Sequence, residues 1–257
     1  MDTKEEIVKD WLPRYTGTRI EEFGQYILLT NFQNYVELFS ARFNVEIKGS
    51  KRAMQTATAG DITIINFGIG SAMAATIMDL LSAVAPKAVL FLGKCGGLKS
   101  ENKVGDLILP IAAIRGEGAS DDYMPPEVPA LPSFRLQRAV SHIIKAKALD
   151  YWTGTVYTTN RRVWEHDHEF KEYLKSIRAS AIDMETATLF IVGFANGIPH
   201  GALLLVSDNP MIPEGVKTTK SDKKVTAKYV EQHLEIGIAS LEELITSGDS
   251  VKHLRFE

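Results

Sequence analysis

Two short runs constrain this chain most. Residues 87–92 (KAVLFL) and 201–207 (GALLLVS) are apolar at almost every position instead of at alternate ones. A strand with one wet face alternates, whereas an unbroken apolar run of this length suits a strand buried on both faces, as in a parallel sheet covered by helices. The rest of the chain supplies the covering. Strand-like segments at 25–30, 54–59, 61–67 and 152–158, with a further run at 106–114, are interleaved with helical segments at 35–43, 72–85, 133–148, 167–177, 184–196 and 223–246. Pro86 ends the second helix and Gly197 supplies the stop for the fifth. The expected fold is α/β: a single domain over residues 1–257, with a central mixed β-sheet flanked by helices. Residues 115–132 read as an irregular loop holding four of the ten prolines, long enough to suggest function.

Composition narrows the functional classes. The net charge is −3, so no basic excess is available to neutralise a phosphate backbone, and a nucleic-acid polymer is not the expected partner. A local basic site for one small phosphate is compatible with that balance. Cys95 is the single cysteine, which excludes an intrachain disulfide and fits a reducing compartment. Residues 1–11 (MDTKEEIVKDW) lack a signal-peptide core, and the apolar stretches break within about a dozen residues, too short for a bilayer. A soluble, cytoplasmic protein without a membrane partner is expected.

Ligands in α/β sheets gather at the carboxyl ends of strands, and three such ends stand out. At 68–71 (GIGS), Gly68 and Gly70 resemble a dinucleotide fingerprint, but Met73 occupies the third glycine position, so a tight strand-to-helix turn is the better reading. Residues 93–97 (GKCGG) read as a loop. Its glycines, Gly93 among them, allow either a plain turn or a nest of N–H groups for an anion, with Lys94 adding charge. At the third end, Asp208 follows GALLLVS. Partial burial there would raise its pKa and make it a general acid at neutral pH; an Asx-type cap in the Ser-Asp-Asn-Pro turn is the plainer alternative. In Asp183-Met184-Glu185, Asp183 is a candidate helix cap. Glu185 is either a first-turn partner of the helix dipole or a carboxylate for two vicinal hydroxyls, with Met184 beneath a sugar. His166 and His168 lie two apart, which puts them on different helix faces, so no metal site is expected. Lys217, Lys220, Lys223 and Lys224 form a basic run after Asp208 that is either a solvated face or a phosphate contact.

Taken in order, FGIGSAMAATIMDLL, VLFLGKCGGLK, VGDLILPIAAIRGEGASDDYMPPEVPA, IDMETATLF and GALLLVSDNP resemble the nucleoside phosphorylase and nucleosidase superfamily through most of the chain. IRGEGASDDYMPPEVPA, TTNRRVWE, METATLF and GALLLVSDNP are most similar to the AMP nucleosidase branch, whose catalytic domain hydrolyses AMP to adenine and ribose 5-phosphate. The resemblance implies roles. Glu185 would bind the ribose 2′- and 3′-hydroxyls, Met184 would pack on the sugar, and Asp208 would protonate N7 of a purine, with Ser207 orienting it. Trp164 or Val163 falls where an aromatic stacks on the base; Trp164 is preferred because its extended ring gains more from stacking. Arg115, Arg161 and Lys217, then Lys94, are the candidates for the 5′-phosphate.

Two departures carry information. Where phosphorylases have a Gly-Asp-x-x-Arg loop after the first strand, this chain has Thr30-Asn31-Phe32-Gln33-Asn34-Tyr35, and Phe91 stands where a second phosphate-binding arginine is found. With both elements missing, water is the expected nucleophile. The length fits the catalytic domain without the extra N-terminal domain of the bacterial enzyme, so control residing in that domain is expected to be absent. No cofactor is implied. A homo-oligomer is, paired around the active sites and extending to hexamers, with the apolar loop 123–131 as a contact. A purine nucleoside phosphorylase and a catalytically silent nucleotide sensor are the alternative functions; Asp208 and Glu185 together argue against the sensor.

Overall fold

A computed structural model describes residues 3–248 of the chain. Eight strands, β1 (Tyr26–Thr30), β2 (Gln55–Ala59), β3 (Ile62–Asn66), β4 (Ala88–Gly97), β5 (Leu107–Gly116), β6 (Trp152–Thr159), β7 (Ala181–Asp183) and β8 (His200–Asp208), form one sheet. Its order is β2-β3-β1-β4-β7-β6-β5-β8, and β8 also pairs with β4, so the last five strands close into a ring. The sheet is mixed: β1, β3, β4 and β8 run parallel, while β2 and β7 lie antiparallel to their neighbours β3 and β4.

Among the described residues seven α-helices cover it: α1 (Lys4–Thr16), α2 (Gln33–Phe43), α3 (Ser71–Leu80), α4 (Phe134–Ala146), α5 (His168–Ser176), α6 (Thr186–Ala195) and α7 (Thr219–Ser247). The apolar runs are explained by which core each residue enters. Ile27, Leu29, Val89, Phe91, Ala202, Leu204 and Val206 point to the core shared with α1, α3 and α6. Their chain neighbours Leu28, Leu90, Leu92, Leu203 and Leu205 point to the opposite core, shared with α2, α4 and α7. Alternation of side chains between the two faces therefore demands an apolar residue at every position of β4 and β8.

Two elements go unread in the sequence. Helix α1 starts in a capping box, in which Glu6 N–H donates to the Thr3 hydroxyl and Thr3 N–H donates to the Glu6 carboxylate. Strand β7 has only three residues, too few to show a period. One expectation is corrected. Residues 93–97 are not a loop but the second half of β4, whose amides are committed to the ladders with β7 and β8. Main-chain groups paired in this way cannot form an anion nest. The 115–132 segment is also more ordered than expected, since β5 runs to Gly116, a 3₁₀ turn spans Ala119–Asp122 and Ala113 N–H donates to Ala130 O. Among the described residues, no helix is long and apolar enough to cross a membrane.

Candidate active site

The carboxyl ends of β1, β4 and β8 open into a cleft of about 720 Å³, part of it open to solvent. Register along β4 gives the positions of its groups. Thr30 of β1 pairs with Leu92, which puts Asn31 level with Gly93; Ile182 of β7 pairs with Gly96, so the chain runs back past Lys94 as it reaches Glu185; Asp208 of β8 pairs with Gly96. Glu185 and Asn31 thus share one end and Asp208 stands at the other, about three residues or roughly 10 Å along the strand.

The glycine turn before α3 builds the first end. Gly70 has φ +95° and ψ 162°, a conformation that essentially only glycine adopts without strain. From there its N–H donates to Glu185 Oε1 at 2.7 Å, and the hydroxyl of Ser71 donates to the Met184 carbonyl at 2.7 Å. The turn that resembles a dinucleotide fingerprint thus holds Met184 and Glu185 in place. Glu185 does not lie in the first turn of α6; it precedes the helix, and its side chain turns away to the cleft. Asp183 does the capping, accepting from Thr186 N–H at 2.8 Å and from the Thr158 hydroxyl at 2.7 Å.

Both carboxyls are buried. Burial pushes the Glu185 pKa up, and the neighbouring Asp183 carboxyl pushes it further; the N–H groups of Gly70 and Met184 and the Asn31 side chain work the other way. At the other end Asp208 is 8% exposed. Burial raises its pKa as well, against a smaller opposing effect of the Ser207 hydroxyl, which donates to Asp208 Oδ1 at 2.7 Å, and of the Lys217 charge. An acid held above the usual carboxylate range at the mouth of a strand end is equipped to deliver a proton.

Cations gather around Phe32. Lys94, 8% exposed, places Nζ 4.5 Å from the Phe32 ring centroid and donates to the Thr226 hydroxyl at 2.9 Å. Lys217 Nζ lies 5.9 Å from the same centroid. Arg161 lines the cleft with its guanidinium paired to Asp167, and Arg162 lines it paired to Glu165. Trp164 also forms cleft wall, braced edge-on by Phe170 at 5.5 Å, whereas Val163 points to solvent at 68% exposure.

Two expected binding residues lie elsewhere. Arg115 is consumed by its own loop, donating to the Ser120 hydroxyl, to the carbonyls of Met124, Pro125 and Val128 and to Asp121; it clasps the proline-rich segment and does not line the cleft. Gly93 is a packing position: a Cβ there would stand 2.4 Å from the Phe91 ring and 3.0 Å from Leu204, so the glycine faces the core and not the cleft. Phe91 itself packs on Phe67 in that core. Of the basic run, Lys217 lines the cleft, Lys223 is exposed, and the side chains of Lys220 and Lys224 lie outside the described residues. Asn31, Phe32, Arg162 and Glu165 line the cleft without having been singled out as binding residues. His166 and His168 flank Asp167, the cap of α5, and among the described residues no three His, Cys, Asp or Glu side chains converge as a metal site.

Residues 17–243 match the family model of the phosphorylase superfamily. The AMP nucleosidase of Escherichia coli K12 is 30% identical over 93% of this chain and 58% of its own length, so the chain spans little more than half of that relative. The crystal structure of AMP nucleosidase from Bacteroides thetaiotaomicron VPI-5482 superposes with a TM-score of 0.87 at 56% identity, covering 96% of this chain and all of that one. Purine nucleoside phosphorylase from Toxoplasma gondii, at 19% identity over 88% of this chain and 94% of its own, shares the fold with a TM-score of 0.76.

Proposed function

The chain belongs to the phosphorylase superfamily, and within it we propose that it is an AMP nucleosidase, hydrolysing the N-glycosidic bond of AMP to adenine and ribose 5-phosphate. The observation that carries this reading is Asp208: a buried acid with a raised pKa, steadied by Ser207, in one cleft with the buried Glu185 and a group of cations. Similarity to the Bacteroides enzyme over its whole length supports the choice of AMP.

In this scheme Trp164 stacks on the purine and Asp208 gives its proton to N7, so the C1′–N9 electron pair departs with a neutral base. Glu185 accepts from the ribose 2′- and 3′-hydroxyls, bonds that tighten as positive charge grows on the ring, and Met184 packs on the sugar. Lys94, Lys217 and Arg161 hold the 5′-phosphate. Water adds to C1′ from the face opposite the base and releases a proton, and Asp208 is reprotonated from solvent. No step uses a metal or an organic cofactor.

The working form in this reading is a cytoplasmic homo-oligomer, built from dimers and extending to a hexamer. The buried lone thiol of Cys95 suits a reducing compartment. Tyr123, Met124 and Val128 of the proline-rich loop pack on this chain's own core, which leaves Leu131 and Phe134, 50% and 66% exposed, as the apolar contact. Light scattering on a sizing column reads the assembly. The function is tested by adenine release from AMP and from adenosine, each with and without inorganic phosphate. Phosphate-independent release with AMP preferred is expected; strict phosphate dependence with a sugar 1-phosphate as product would identify a purine nucleoside phosphorylase instead.

A further inference from the structure

Among the described residues only two buried side-chain polar atoms lack a hydrogen-bond partner, Asn31 Oδ1 and Asn102 Nδ2. Asn102 lies under the 99–106 turn, with its Oδ1 accepting from Lys99 N–H, away from the cleft. Asn31 is different, because it lines the cleft. It shares that cleft with Glu185, and its Oδ1 is a buried acceptor with no hydrogen-bond donor. A buried acceptor left without a partner carries an uncompensated desolvation cost, so a donor arriving in the cleft recovers it.

Position says which donor. Asn31 follows β1 and stands level with Gly93, on the opposite side of β4 from Asp208, which is level with Gly96. With the base held at Asp208 and the ribose at Glu185, Asn31 lies on the side of the sugar away from the departing base. We propose that Asn31 Oδ1 holds the attacking water, accepting one of its hydrogens and turning an oxygen lone pair towards C1′. Asn31 acts by position and takes up no proton. The water oxygen bonds to C1′ as the C1′–N9 pair leaves with the base, N7 gains the Asp208 proton, and the water's surplus proton passes to solvent. The proposal rests on the nucleosidase reading.

The experiment uses the full chain with AMP in water–methanol mixtures, where methanol competes for C1′ and gives the methyl riboside 5-phosphate. Asn31→Leu, which keeps the volume and removes the acceptor, is expected to lower kcat about 10–100-fold with KM for AMP changed less than about threefold, since misplacing a reacting group costs rate and not binding. Asn31→Ala makes room and is expected to raise the methyl riboside share several-fold. A rise in KM with an unchanged product ratio would assign Asn31 to a ribose hydroxyl and overturn the proposal alone. A wild-type chain that releases adenine only with inorganic phosphate would overturn the nucleosidase reading, and this proposal with it. Circular dichroism on both variants separates loss of fold from loss of rate; where one unfolds, the other decides.

Discussion

Asp208→Asn is the sharpest perturbation of the proposed chemistry. The side chain is 8% exposed, and its Oδ1 accepts from the Ser207 hydroxyl at 2.7 Å. Asparagine keeps that oxygen and the volume, so the bond and the packing survive. Burial already disfavours the charged carboxylate, so removing it costs the fold little, and the melting temperature should stay within a few degrees of wild type. What is lost is the transferable proton. General acid catalysis contributes typically about 10²–10⁴-fold, or about 2.7–5.4 kcal/mol of transition-state stabilisation at 1.36 kcal/mol per decade. Adenine release from AMP should fall by that factor with KM nearly unchanged. A second substrate makes the result specific. A 4-nitrophenyl riboside 5-phosphate leaves as a stabilised anion without an acid, so the variant should cleave it at close to the wild-type rate. The pH profile adds a third reading: the wild-type rate falls as pH rises through the raised Asp208 pKa, and the variant should lose that limb. Equal losses on both substrates, or a variant keeping more than about a tenth of wild-type activity on AMP, would refute Asp208 as the acid.

Lys94→Met fits the same buried space without the charge and should raise KM for AMP about 10–100-fold, while adenosine, which lacks the phosphate, is unaffected; equal effects on both substrates would remove Lys94 from the phosphate site. Gly70→Ala meets no atom within 4 Å, so its cost of about 1–3 kcal/mol is backbone strain alone, seen as a lower melting temperature or, where the turn relaxes and frees Glu185, as a higher KM. His233 is fully buried between the Tyr35 hydroxyl and the Leu203 carbonyl, and burial lowers its pKa from 6.5 to about 4. Below pH 6.5 the unfolded chain takes up a proton that the native state refuses, so stability should fall by up to about 3 kcal/mol between pH 6.5 and 4. The raised carboxyls at Asp183, Glu185 and Asp208 act with the opposite sign, gaining stability as pH falls, so the contribution of His233 is read as the difference from His233→Gln in denaturant melts at pH 7 and 4.5.

What was legible in the sequence was local. The apolar runs of β4 and β8 and the acid directly after GALLLVS need only neighbouring positions to be read. The Thr3-to-Glu6 capping box marked α1 just as locally, although the charged residues around it hid the helix. The rest depends on contacts between distant positions. Gly70 meets Glu185 across 115 residues, and Phe32 lies beside Lys94 because β1 and β4 are neighbours and beside Lys217 because the segment between β8 and α7 returns to the same cleft. The run at 93–97 looked like a turn because small residues break strands in isolation; here Gly96 and Gly97 are small because Ile182 and Asn102 crowd them. Arg115 looked like a phosphate ligand because the sequence does not show that the carbonyls of the loop after it fold back to take its guanidinium.

In the proposed reaction water, not phosphate, cleaves the bond in AMP. Phosphorus NMR of the full chain with AMP in phosphate-free buffer tests it in one spectrum. Growth of the ribose 5-phosphate resonance alongside adenine is the predicted result. An inert mixture that yields ribose 1,5-bisphosphate only once inorganic phosphate is added would contradict it.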